Sequence, residues 1–245
     1  MLEGRNIVVT GAARGFGAAI AEALAGQGAR LILADIAQAE GRAIADRLGA
    51  AFVPVDLGEP ASIEAAASAA GEIGEGKLHG LVNNGAIATG IGGIAFDEIE
   101  IDSWDRVQRV NVRGTWLMTR GCAPMLRASG SGRVVNVASD TALWGAPRLM
   151  SYVASKGAVI AMTRSLAREL GPDRVGVTAV APGILTTEST EYVPAERHRL
   201  YAEGRAVPGP QGAEDLTGTI AFLLSESALT LTGQVLPLNN GFVFT

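Results

Sequence analysis

The 245-residue chain is predicted to form one α/β domain, 1–245, built on a doubly wound parallel sheet of about seven strands with helices on both faces. Three observations lead there. Short aliphatic runs alternate with alanine-rich stretches of helical period, and the rhythm holds from end to end. No internal repeat or low-complexity linker separates two halves. Hydrophobic residues make up 48% of the chain and charged residues 18%, with 32 glycines, which suits a filled core crossed by many tight turns.

In order, a strand at Ile7 to Thr10 precedes a helix at Ala18 to Gly28, and a strand at Leu31 to Ala34 precedes a helix at Gln38 to Leu48. A strand at Ala51 to Val55, a helix from about Ala61 to Ile73 and a strand at Gly80 to Asn83 follow. One helix is expected from Ser103 to about Leu126, then a strand at Arg133 to Ala138, a helix from Ser151 to Leu170 and a strand at Gly176 to Val180. A helix near Ala213 to Ser225 and a strand near Gln234 to Leu238 close the sheet. The stretch 186–212 breaks the rhythm: it carries Glu188, Glu191, Arg197, Arg199, Pro194, Pro208 and Pro210, is long for a connection, and reads as a substrate lid.

The 20 Lys and Arg are scattered and the net charge is -5, so no basic stripe offers itself to nucleic acid. No apolar run approaches the roughly 20 residues of a membrane helix, and a cytoplasmic protein is expected. Cys122 is the single cysteine, read as a small buried hydrophobe; His79 and His198 lack metal partners at useful spacing, and no metal is expected.

The run Thr10-Gly11-Ala12-Ala13-Arg14-Gly15-Phe16-Gly17 follows the first strand and opens the first helix. Glycines there let backbone approach a pyrophosphate at the helix's positive end, although turns and close packing also use them. The spacing is neither the commonest dinucleotide fingerprint nor a nucleoside triphosphatase loop. Asp35 ends the second strand, where a carboxylate can accept both ribose hydroxyls of an adenosine, or else cap the next helix. It favours NAD over NADP, because a 2′-phosphate would meet like-charge repulsion of about a few kcal/mol. Arg14 argues the other way, since it could reach that phosphate.

Tyr152 and Lys156 stand four apart on a predicted helix, so they share one face. An ammonium beside a phenol stabilises the phenolate and brings it toward working pH. Ser139 ends the preceding strand, at the sheet edge where ligands sit.

With these residues in place, the chain resembles the short-chain dehydrogenase/reductase family over essentially its whole length, which implies a Rossmann-like fold and hydride transfer with a nicotinamide dinucleotide. Thr10 to Gly17 resembles the family's Thr-Gly-x-x-x-Gly-x-Gly loop, and Asp56, beside Leu57, resembles its adenine-side acid. Asn111, Ser139, Tyr152 and Lys156 match the catalytic four, and Pro182, Gly183, Ile184 and Thr187 resemble the segment beside the nicotinamide. The resemblance implies Tyr152 as acid or base, Lys156 as its tuner and ribose ligand, Ser139 as partner of the substrate oxygen, and Asn111 as anchor of a water relay. The family's Asn-Asn-Ala-Gly appears as Asn83-Asn84-Gly85-Ala86, and its C-terminal Asp-Gly-Gly as Asn239-Asn240-Gly241. Asn83 and Gly85 are expected to touch the cofactor.

Leu143, Trp144, Leu149 and Met150 make the segment before Tyr152 apolar, although Trp144 equally suits a core or an interface. Tyr192 and Tyr201 could close over a ligand. The C-terminal Phe242-Val243-Phe244 is expected to pack against another subunit, in a homotetramer. The expected substrate is a small, largely apolar secondary alcohol or ketone. The alternatives are an NADPH-dependent 3-oxoacyl thioester reductase and a non-catalytic NAD-sensing module.

Overall fold

The computed structural model of the chain describes residues 1–187 and 190–245; Glu188 of the charged stretch lies outside them. Among the described residues, seven strands form one sheet: β1 (Asn6–Thr10), β2 (Arg30–Asp35), β3 (Ala51–Pro54), β4 (Gly80–Asn83), β5 (Arg133–Val137), β6 (Gly176–Pro182) and β7 (Val235–Leu238). The order is β3-β2-β1-β4-β5-β6-β7, and every pairing is parallel. The helices are α1 (Gly15–Ala25), α2 (Gln38–Leu48), α3 (Pro60–Ile73), α4 (Ile101–Gln108), α5 (Thr115–Ala128), α6 (Thr141–Trp144), α7 (Met150–Leu170), α8 (Ala195–Gly204) and α9 (Glu214–Leu223).

The aliphatic strands are buried because both faces are covered. Successive β1 residues point to opposite sides. Val8 joins a layer with residues of α3, α5 and α7, whereas Ile7 and Val9 join a layer with residues of α1 and α9. The chain runs outward from β1 to β3 and then returns to lay β4 on the other side of β1. That reversal opens a crevice at the carboxyl ends of β1 and β4, the place where open parallel sheets take ligands.

The single helix expected from Ser103 to Leu126 is three pieces, with a π-helical segment at Arg109–Gly114 between α4 and α5. The widened turn lets the Asn111 side chain face inward, where its amide is held on both sides. Its Oδ1 accepts from Ile87 N–H at 2.7 Å, and its Nδ2 donates to Ile87 carbonyl at 3.0 Å and to Ser155 Oγ at 3.1 Å. Local π-bulges of this kind recur at functional sites.

Candidate active site

All seven strands end at one edge, and the sequence-predicted residues gather there. The loop from Gly11 to Gly17 turns on two left-handed glycines, Gly11 (φ 65°) and Gly15 (φ 54°). A Cβ on Gly17 would lie 1.9 Å from the Gly11 carbonyl oxygen, and one on Gly11 would lie 2.6 Å from the Gly85 Cα. These glycines therefore serve close packing of the loop on α1 and on the β4 turn. Thr10 Oγ1 accepts from Asn84 N–H (3.1 Å) and Gly85 N–H (3.0 Å), while Asn84 Nδ2 donates to the Thr10 and Gly11 carbonyls. The first-turn N–H groups of α1, at Gly15, Phe16 and Gly17, point along the helix axis with no side chain capping them. Arg14, the residue before them, is exposed.

Asp35 is aimed by two backbone donors: Oδ2 accepts from Ala13 N–H and Oδ1 from Ala37 N–H, each at 2.9 Å. It thus caps the approach to α2 while its half-buried carboxylate faces the glycine loop. Asp56 holds the next loop, accepting from Gly58 N–H at 2.7 Å. Buried Leu57 packs its side chain where a Cβ on Gly85 would stand 2.7 Å away. The side chain of Asn83 is turned into the core instead, donating to Thr119 and Asn136, so it offers the crevice backbone only.

On the far side of the crevice, Ser139 follows β5, Tyr152 and Lys156 lie on α7, and Pro182 to Ile184 follow β6. Lys156 Nζ sits 5.5 Å from the Tyr152 ring centre and donates to the Val137 carbonyl at 2.7 Å. Ser139 Oγ accepts from Thr141 Oγ1 at 2.9 Å. Burial pushes the Tyr152 phenol well above its ordinary range, and its hydrogen bond with Ser139 only partly opposes this. The ammonium of Lys156 is brought down to about 8 by burial. Loss of water dominates both groups, so the phenol stands above its ordinary value rather than below it, while the ammonium 5.5 Å from its ring also donates to the Val137 carbonyl.

Leu143 and Trp144 are half-buried, whereas Met150 (46%) and Tyr192 (49%) stay largely exposed. The Tyr192 hydroxyl donates to the Ala88 carbonyl across the crevice mouth. Thr187 donates its N–H to Thr190 Oγ1 at 3.2 Å. Tyr201, read as able to close over a ligand, is 2% exposed and belongs to the core. Its ring stacks on Phe242 with centres 4.1 Å apart, and both meet Trp144 edge-on. Phe242, expected to pack against another subunit, is half-buried with ring partners within this chain, and Phe244 is 80% exposed.

Sequence reasoning missed Asp140 beside Ser139. It is fully buried and accepts from Tyr201 Oη at 2.7 Å and Asn239 Nδ2 at 3.1 Å. The available signal was a charged residue just past the wholly buried β5, next to a candidate catalytic serine. Cys122 is buried as expected, its thiol pushed up to about 12 by loss of water. His79 accepts from Asn6 N–H at the opposite edge of the sheet. Among the described residues, no helix is long and apolar enough to cross a membrane.

Comparison with known proteins bears on the same edge. A family model described as Enoyl-(Acyl carrier protein) reductase matches residues 11–243. The chain is 32% identical over 249 residues to the Rhizobium meliloti protein named "Probable galactose dehydrogenase", covering 98% of this chain and 95% of that one. It is 33% identical over 244 residues to 3-alpha-(or 20-beta)-hydroxysteroid dehydrogenase of Mycobacterium tuberculosis, covering 99% and 90%. The structure of 3-ketoacyl-(acyl-carrier-protein) reductase from Brucella melitensis complexed with NADH superposes with a TM-score of 0.90 at 32% identity, covering 100% of both chains. Sequence and architecture agree over the whole chain, which belongs to the short-chain dehydrogenase/reductase family of oxidoreductases.

Proposed function

We propose that the protein is a NAD(H)-dependent dehydrogenase or reductase of a small, largely apolar secondary alcohol or its ketone. The observation that carries this reading is the meeting of Ser139, Tyr152 and Lys156 at the sheet edge, across the crevice from Asp35 and the glycine loop. The residues present fit a nicotinamide dinucleotide. The uncapped start of α1 suits a pyrophosphate, the preset carboxylate of Asp35 suits an adenosine ribose, and Asp56 and Leu57 border the adenine side. Lys156, Gly85 and the run Pro182 to Ile184 with Thr187 would hold the nicotinamide ribose and ring. When bound, the dinucleotide supplies or accepts the hydride.

In the reducing direction, Tyr152 carries its proton at neutral pH because burial holds the phenol neutral, and it donates that proton to the carbonyl oxygen as the carbon gains hydride. Ser139 donates a second hydrogen bond to the same oxygen, stabilising the developing charge. Lys156, below the ring, restrains the charge left on the phenolate. Asn111, held against Ile87 and Ser155, keeps its backbone at the widened turn in place for a water relay. Leu143, Trp144, Met150 and Tyr192 form the substrate walls. The indole N–H is engaged by Tyr201 at 3.0 Å, so Trp144 offers only apolar surface. Within the stretch 186–212 expected to be the lid, residues 190–194 act as its cover, bridged to the opposite wall by Tyr192. Exposed Trp116, which lines an open cavity of about 430 Å³ with Gln108, Arg109, Val112, Arg113 and Met162, and exposed Ile101 at the start of α4 support a homotetramer.

The test is titration of intrinsic fluorescence with NADH and NADPH, followed by a panel of secondary alcohols, ketones and a 3-oxoacyl thioester. NADH binding with turnover of an apolar alcohol is expected. Tighter NADPH binding assigns the specificity to Arg14, and binding without any turnover points to a sensor. Tyr152→Phe is expected to lower kcat by about 100-fold or more with NADH affinity retained; near-normal turnover removes Tyr152 from its role.

A further inference from the structure

Ser139 and Asp140 are neighbours, yet they face different ways. Ser139 addresses the crevice, while the carboxylate of Asp140 is fully buried behind it. Three separate parts of the chain converge on that carboxylate and its backbone. Tyr201 of α8 donates to Oδ1 at 2.7 Å, and Asn239, just past β7, donates to Oδ2 at 3.1 Å. The Asp140 N–H donates to the Pro182 carbonyl at 3.0 Å, and its own carbonyl starts the turn of α6 by accepting from Leu143 and Trp144 N–H. Trp144 then closes a ring by donating its indole N–H to Tyr201 Oη at 3.0 Å. There is no slack: a Cβ on Gly183 would stand 3.1 Å from Asp140 Oδ2, 3.0 Å from Asn239 Cβ and 3.2 Å from the Tyr201 ring. Arg205, just past α8, donates to the Ile184 and Gly209 carbonyls and so pins the same unit from below.

We propose that Asp140 is a positioning residue: it fastens α8 to the turn carrying Ser139 and Trp144, so that one wall of the substrate cleft is a preassembled rigid body. The assignment rests on the reading of Ser139 as partner of the substrate oxygen. Opening for substrate then falls to the neighbouring residues 190–194, from which the Tyr192 hydroxyl reaches the Ala88 carbonyl across the mouth. Breaking the Asp140 node lets α8 swing, which widens the Trp144 wall and misplaces the serine without touching the half of the sheet that carries the glycine loop.

The pairing of one carboxylate with one amide gives a test that distinguishes positioning from simple loss of fold. Asn239→Asp sets two buried carboxylates against each other. Asp140→Asn leaves two amides, and the double variant Asp140→Asn with Asn239→Asp restores one of each. Hydrogen exchange followed by mass spectrometry reports α8 directly and needs no substrate. The expected result is at least 10-fold faster exchange in peptides covering 195–204 and 139–146 for Asn239→Asp and for Tyr201→Phe. Peptides of β1 and α1 should not change, and NADH affinity should stay within twofold. The double variant is expected to recover at least half of the Asn239→Asp effect on a logarithmic scale. Where a panel alcohol is turned over, KM is expected to rise at least 10-fold in the single variants with a smaller change in kcat, and to recover in the double variant. Unchanged exchange in α8 for Tyr201→Phe, or a double variant no better than Asn239→Asp, overturns the proposal. A protein that shows the exchange pattern but turns over nothing keeps the positioning of α8 and sinks the proposed reaction instead.

Discussion

The two sides of the crevice are built on opposite plans. Around β1 and β4, the site is made by leaving atoms out: Gly11, Gly17 and Gly85 allow three stretches of backbone to approach where any Cβ would collide. Around β5, β6 and α8, it is made by filling space with large side chains, Tyr201, Trp144 and Phe242, tied through Asp140 and Asn239. The first plan suits a ligand recognised through backbone N–H groups, since backbone geometry is the same whatever the neighbouring side chains. The second suits a ligand recognised by shape, because each side chain can be exchanged for another. The first should therefore fail when atoms are added, and the second when they are removed.

The largest effect expected is at Gly17. Alanine there meets a backbone oxygen with no flexible group to give way, so Gly17→Ala should cost about 3 kcal/mol or more, roughly 6–12 °C in Tm. Calorimetry giving a loss under about 1 kcal/mol would break the comparison, because the loop would then have room. A smaller effect is expected from Tyr201→Phe. It removes a hydroxyl that satisfies both Asp140 and Trp144, and about 1–3 kcal/mol should be lost with no new collision.

The pH dependence of Asp140 sharpens the contrast. Burial raises its carboxyl to about 6, opposed by the hydrogen bonds from Tyr201 and Asn239 and by the charge of Arg205. A carboxyl that binds its proton more tightly folded than unfolded makes stability fall as pH rises between the two values, here from about 4 to about 6, by up to about 3 kcal/mol. The stability of Asp140→Asn relative to the unaltered protein should therefore improve by that order between pH 4 and pH 7. A difference that is flat with pH would mean the folded carboxyl titrates normally. The smallest effect belongs to neither plan: Arg127 and Asp173 pair at 2.6 Å with both side chains largely in solvent, and Arg127→Ala should change Tm by at most a degree or two.

The first plan was legible in the sequence and the second largely was not. Strands such as β5 and β6, mostly aliphatic and buried throughout, and the glycine loop announce themselves through local pattern. Ser139, Tyr152 and Lys156 could be read because spacing and strand ends set their positions. Tyr201 could not, since the charged run around it has little helical periodicity, and what buries it, Trp144 and Phe242, comes from distant parts of the chain. The same blindness hid the ring contacts that Phe242 makes within its own chain. The break in the long helix was hidden for another reason: a π-helical turn differs from an α-helical one by a single residue, and no residue between Arg109 and Gly114 signals it.

That single residue has a consequence for how the molecule can change. Removing one position from 109–114 would make α4 and α5 one regular helix and should improve its local hydrogen bonding. Because the widened turn takes up its extra residue within itself, the phase of α5 would be kept, and Thr115, Met118 and Cys122 would stay buried. What the deletion would forfeit is the inward placement of Asn111 and its grip on Ile87 and Ser155. The fold thus tolerates losing that residue, whereas the site does not.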